Sequence, residues 1–161
     1  MIGGAFRRSG AVLALPLLAL ALPATAALAQ DGRQRLTPAE ALALPVVGAG
    51  AGTSGVKGIE TRLLFGDPTK AGPYTISIRV PPNTRIAPHT HRDDRSAVVA
   101  AGRWHFGYGA TADEAASRAL PAGSFYTEPA GDPHFAWTGP EGATVYISGM
   151  GPSDTLYPSG H

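Results

Sequence analysis

Three of the five histidines in this 161-residue chain fall into two spaced patterns. The first is Pro88-His89-Thr90-His91, with Gly102 eleven residues beyond His91. The second runs from Gly123 through Pro129-Ala130-Gly131 to His134. Side chains two apart on a β-strand share a face, so His89 and His91 can reach one ion. A third imidazole from another strand completes a triad and leaves coordination positions open for water, oxygen or substrate, as catalytic metal sites do. Neutral imidazole suits Fe, Mn, Ni, Cu or Zn, so a divalent transition metal is the expected cofactor. An isolated histidine is ordinarily a surface or core group with routine hydrogen bonds. Here the spacing, the sharp turn before His134 and the β context agree.

The elements that must carry these residues are short strands. Tyr74, Ile76, Ile78 and Val80 alternate with polar residues, as in a half-buried strand. Strands are expected at Arg85 to His91, Ser96 to Ala101 and Trp104 to Tyr108. Three more are expected at Ser124 to Glu128, His134 to Thr138 and Thr144 to Ser148. Thr37-Pro38-Ala39-Glu40 is a capping box with proline at the first helical position, predicting a short helix to about Leu44. Thr111-Ala112-Asp113-Glu114 is a second capping box, predicting a helical insert over Ala112 to Ala119. Gly48 to Gly58 reads as a flexible loop. Many short strands punctuated by Gly and Pro indicate a sandwich or barrel.

The two histidine patterns resemble those of cupins, which are double-stranded β-helix, jelly-roll-like barrels. The second motif is matched at Gly123, Pro129, Gly131 and His134, with Thr138 where asparagine is usual. The first keeps His89, His91 and Gly102, with Asn83 in place of the leading glycine. The resemblance spans roughly Ile59 to Tyr157. The chain is also similar to small exported bacterial cupins of unknown activity, through Leu36-Thr37-Pro38-Ala39-Glu40, Gly72-Pro73-Tyr74-Thr75 and Gly149-Met150-Gly151-Pro152. It implies an all-β cupin barrel with a short N-terminal helix and metal ligands at His89, His91 and His134. A homodimer formed by exchange of terminal segments is also implied.

One departure bears on chemistry. A usual cupin adds a carboxylate to its histidines, and Arg95 stands in that slot. Three alternatives follow. The site is a three-histidine triad, as in some cupin dioxygenases that bind ferrous iron. Or Asp93, Asp94 or Glu128 supplies an oxygen from a neighbouring position, although Asp94 should point away from Arg95. Or Arg95 marks a degenerate barrel, or binds an anionic substrate. Trp104, Phe106 and Tyr108 share a face and, with Phe125, Tyr126, Phe135, Trp137 and Tyr146, could line an apolar pocket. Barrel core accounts for most of them. The hydroxyls of Tyr126 and Tyr146 could orient water or substrate. His105 lies off the inward face, and His161 is terminal.

Some function classes drop out. Gly50 to Gly55 matches a dinucleotide fingerprint literally, but no strand precedes it and no helix follows. No Gly-x-Ser-x-Gly elbow is present. Residues 1–29 read as a secretory leader. Arg7 and Arg8 precede an apolar run from Ala11 to Leu22, and Ala27-Leu28-Ala29 marks cleavage after Ala29. Losing Arg7 and Arg8 leaves 11 basic against 12 acidic residues, which gives no reason to expect nucleic acid as a partner. A periplasmic or secreted protein, without a membrane anchor after cleavage, is expected. Residues 30–58 would form an arm with the helix and loop, and 59–161 the barrel. The chain lacks cysteine, so no disulfide contributes. The reading is a metal-dependent enzyme, dioxygenase- or isomerase-like, acting on a small organic molecule. The alternative is a non-catalytic module that binds or senses a small ligand.

Overall fold

A computed structural model describes Met1, residues 33–48 and residues 52–158. The leader, its cleavage site after Ala29 and His161 therefore lie outside the described residues. Helix α1, Pro38–Ala43, forms where the first capping box places it: Thr37 Oγ1 accepts from Glu40 N while Glu40 accepts from Thr37 N. It is short, and its end is tied to the barrel by Arg62 Nε donating to Leu44 O at 3.1 Å.

Seven strands follow: β1 Glu60–Phe65, β2 Gly72–Val80, β3 Arg85–His89, β4 Arg95–Tyr108, β5 Arg118–Pro121, β6 Phe125–Glu128 and β7 His134–Gly151. The alternation in β2 behaves as its pattern predicts, with Tyr74, Ile76, Ile78 and Val80 all buried. Two expected strand breaks are absent. Ser96 to Ala101 and Trp104 to Tyr108 are one strand, and so are His134 to Thr138 and Thr144 to Ser148. Each long strand turns a corner at a glycine with positive φ, Gly102 at 73° and Gly142 at 65°. A Cβ on Gly102 would collide with the carbonyl of Gly142, so glycine is required by close approach as well as by φ. The chain bends there without ending its ladder, which is why glycine reads as a terminator in the sequence.

The corners divide the ladder into two facing halves. In one, β1, β2, the second half of β7, the first half of β4 and β6 lie side by side. In the other, β3, the first half of β7, the second half of β4 and β5 do so. Ile76, Ile78, Val99, Val145 and Ile147 from the first half meet Ile86, Trp104, Phe106, Leu120 and Ala136 from the second to form the core.

The second capping box does not produce the expected helical insert. Only a single 3₁₀ turn, Glu114–Ala116, forms, capped by Asp113. Arg118–Pro121 instead pairs with Arg103–Phe106, which buries Leu120 opposite Trp104. Cross-strand burial outweighs the local helix signal. The described stretch 52–58 of the Gly-rich loop is tied down rather than free. Thr53 is buried, and Thr53 O and Ser54 O accept hydrogen bonds from Thr155 and Tyr157 at 2.6 Å each. Asn83 occupies the glycine slot of the first histidine motif and takes φ 54°. Asparagine tolerates this left-handed conformation, so the turn into β3 survives the substitution.

Candidate metal centre

His89 closes β3 and His134 opens β7, and the two stand directly opposite each other in the ladder. Their rings lie 4.5 Å apart between centroids. His91 follows one residue after Thr90, whose backbone bridges to Leu156 through two 2.9 Å hydrogen bonds. All three imidazoles are buried, and one ring nitrogen from each lies within 4.8 Å of the others.

Backbone carbonyls set which nitrogen faces the centre. Nδ1 of His89 contacts Ala87 O at 2.8 Å, Nδ1 of His134 contacts Asp132 O at 3.0 Å, and Nδ1 of His91 contacts Asp154 O at 2.5 Å. A carbonyl only accepts, so each Nδ1 carries the proton and each Nε2 keeps its lone pair. Ligand histidines are oriented in this way in metal sites. Burial, then the neighbouring charge of His134, pushes the His89 pKa down to about 4. Burial, then the Arg95 guanidinium, pushes that of His91 down to about 3. Both rings are therefore neutral well below neutral pH.

Arg95 points inward. It opens β4 opposite Glu128, the last residue of β6, and both side chains are at most 5% exposed. Arg95 Nε donates to Glu128 Oε2 at 2.6 Å, and Nη1 donates to Gly52 O at 3.3 Å. Nη2 contacts both Glu128 Oε2 and His91 Nε2. Glu128 Oε2 also lies 3.9 Å from His91 Nε2 and 3.8 Å from His134 Nε2. Burial alone would raise the Glu128 pKa; Arg95, His134 and His91 outweigh it and hold the carboxyl below its ordinary value.

The three Nε2 atoms border a cavity of about 30 Å³, walled on its apolar side by Ile78, Ile86, Trp104, Phe106, Ala136 and Ile147. That volume admits one or two water-sized groups. Three buried polar atoms here have no well-formed hydrogen bond among the described residues: His134 Nε2, Tyr126 Oη and Trp104 Nε1. Buried polar groups are rarely left so, which marks the cavity as a place for a polar occupant. The donor set of three imidazoles with free lone pairs fits a divalent transition metal.

A family model described as a domain of unknown function (DUF4437) matches residues 51–151. The chain belongs to that cupin-like family. Among solved structures, the polyketide cyclase RemF from Streptomyces resistomycificus is similar at a TM-score of 0.57 and 19% identity, covering 79% of this chain and 87% of its own. An RmlC-like cupin from Shewanella frigidimarina is similar at a TM-score of 0.51 and 18% identity, over 66% and 83%. The DMSP lyase DddQ from Ruegeria pomeroyi is similar at 0.53 and 18%, over 64% and 54%. These likenesses establish the cupin barrel. A search of curated proteins finds no significant match.

In this cupin the other expected site residues divide. Tyr126, Trp104 and Phe106 line the cavity with Arg95 and Glu128. Asp94 does not join them; its Oδ1 accepts from Ala130 N at 2.9 Å and braces the turn before His134. Asp93 is buried but committed, accepting from Tyr74 Oη at 2.7 Å and Ser153 Oγ at 2.6 Å. Tyr146 lies on the outer face, because the alternation of β7 turns Val145 and Ile147 inward. Phe125 and Tyr108 are also largely exposed. His105 stacks on Trp137 at 3.6 Å between centroids, outside the cavity.

Residues 52–54, which the sequence offers only as flexible loop and a rejected fingerprint, and residues 153–157, which carry no motif, cover the site. Asp154 orients His91, and the Tyr157 ring sits 5.3 Å from His89. Thr155 and Tyr157 donate their hydroxyls to backbone carbonyls of the loop. A carbonyl acceptor belongs to every residue type, so the partner segment is not announced by its sequence. The length of polar chain after β7 was the available signal.

Proposed function

We propose that this cupin is an exported, metal-dependent enzyme acting on a small organic molecule, with dioxygenase- or isomerase-like chemistry. The observation that carries the reading is the convergence of three buried Nε2 lone pairs, each fixed by an Nδ1–carbonyl hydrogen bond. His89, His91 and His134 would hold the ion. When bound, a divalent ion supplies Lewis-acid or one-electron chemistry at its open coordination positions. The chain's own residues supply the rest. Trp104, Phe106 and Ile147 exclude bulk water from the cavity, and Tyr126 offers a hydroxyl for orienting a bound group. Burial holds the Tyr126 pKa well above its ordinary value, so the hydroxyl keeps its proton and can donate. The names of two structural neighbours, a polyketide cyclase and a DMSP lyase, are those of enzymes, which favours chemistry over storage. The leader-like residues 1–29 support export, and a homodimer remains part of the reading.

A second reading, a ligand-binding module without turnover, is favoured by one observation: Arg95 already contacts His91 Nε2. Elemental analysis of untagged protein, prepared without chelator, separates the two. About one transition metal per chain, lost in His134→Ala, supports the enzyme reading. Protein that refuses added metal supports the binding module.

A further inference from the structure

We propose that this site takes up its divalent ion together with a small anionic oxygen ligand, a carboxylate or the carboxylate head of a larger molecule, and that Arg95 couples the two binding events. The proposal rests on the reading of His89, His91 and His134 as metal ligands, and it assigns the substrate class of that site.

Arg95 reaches into the centre of the triad. Its Nη2 sits against one of the three lone pairs that an ion would need, on His91, and also against Glu128. An ion bound to His91 must displace that contact. Glu128 Oε2 is the next oxygen at hand, 3.8 Å and 3.9 Å from two of the ligand nitrogens. Atoms bonded to one ion at about 2.1 Å stand roughly 3–3.5 Å apart, so a small inward movement makes Glu128 a ligand. The carboxylate absent from position 95 is thus restored by the cross-strand partner of position 95.

That restoration leaves Arg95 stripped. Its guanidinium, 5% exposed, gives up its contact with His91 and shares Glu128 with an ion. Among the described residues, Nη1 keeps Gly52 O at 3.3 Å, and the Tyr74 hydroxyl stands beside the guanidinium. Charge makes the same point. Three neutral imidazoles, one carboxylate and one guanidinium sum to zero, so a divalent ion leaves an excess of about two positive charges in a buried site. A carboxylate, one negative charge shared by two oxygens, halves that excess and offers an oxygen to each cation. One oxygen fills an open position on the ion, and the other accepts from the freed guanidinium. The 30 Å³ cavity has room for one or two water-sized groups. The lining must therefore give way slightly to an ion and a carboxylate head, and the rest of a larger ligand stays outside. Binding is then reciprocal: the anion tightens the metal, and the metal tightens the anion.

The test is a cobalt(II) titration of the untagged protein, read by calorimetry and by visible absorption at fixed ionic strength, with and without formate. The expected result is that formate tightens cobalt binding to the native protein by at least about tenfold and changes the cobalt spectrum. Arg95→Gln should bind cobalt alone at least about tenfold more tightly than the native protein does, and should gain less than about twofold from formate. Equal cobalt affinity with and without formate in the native protein overturns the proposal while leaving the three-histidine site standing. A native protein that takes up no cobalt overturns both. Should Arg95→Gln fail to fold, the native titration alone decides.

Discussion

Where β4 and β7 turn their corners at Gly102 and Gly142, an open cleft of about 420 Å³ is lined by Glu60, Arg79 and Glu141. Where the same strands begin, three histidines, Arg95 and Glu128 border a cavity of about 30 Å³. The larger space is the less informative. Its charges are solvated and mutually paired, Arg103 with Glu141 at 3.0 Å and Arg79 with Glu60 at 4.0 Å. Glu60 Oε2 also lacks a well-formed hydrogen bond, but it is an ion-pair partner of Arg62 Nη1 at 2.9 Å. The small cavity instead concentrates buried charge, lone pairs aimed at one point and polar atoms with no hydrogen bond. Chemistry is better located by unmet bonding capacity than by volume.

Substitutions can sharpen this contrast. Glu128→Leu should cost about 3–5 kcal/mol in urea unfolding, because it strands the Arg95 charge in the interior. Adding Arg95→Leu should recover much of that loss, and a double mutant no more stable than Glu128→Leu would break the contrast. At the other end the vulnerable feature is the backbone. Gly102→Val should cost about 3 kcal/mol or more, since both φ and the approach of the Gly142 carbonyl exclude a side chain.

Proton linkage is smaller per step but accumulates over a pH range. The His89 and His91 pKa values are depressed in the fold, to about 4 and about 3, so the unfolded chain binds more protons once pH falls below about 6.5. The neutral-imidazole contribution is fully present above that pH. Stability of chelator-treated protein should fall as pH drops toward 4, by up to about 1.4 kcal/mol per pH unit for each histidine. A flat melting temperature between pH 6.5 and 4.5 would contradict the burial described for these rings. The smallest effect belongs to the open cleft: Arg103→Ala, half-exposed, should change stability by no more than about 0.5 kcal/mol.

The barrel and the triad were both legible, and for a local reason. Two-residue spacing puts His89 and His91 on one side, and Pro129-Ala130-Gly131 turns the chain into His134. Long-range facts were not legible. That Arg95 would meet Glu128 depends on the pairing of β4 with β6, and two strands separated by 33 positions do not declare their register. Tyr146 was misplaced for the same reason, since a one-residue difference in phase moves a side chain from cavity to surface. Gly102 and Gly142 misled in another way. Glycine punctuates turns and corners alike, and only the continuous ladder distinguishes them.

The hydrogen bond from His91 Nδ1 to Asp154 O spans 63 positions, and a cover built from residues 52–54 and 153–157 closes over the triad. The triad therefore cannot acquire its geometry until that late segment has been made and laid down. A nascent chain could offer an ion scattered imidazoles but no shaped site. On the proposed metal-binding reading, the choice of ion would fall to whichever surroundings witness the final closure, and the ions abundant there would weigh more than the affinity order of the ligands.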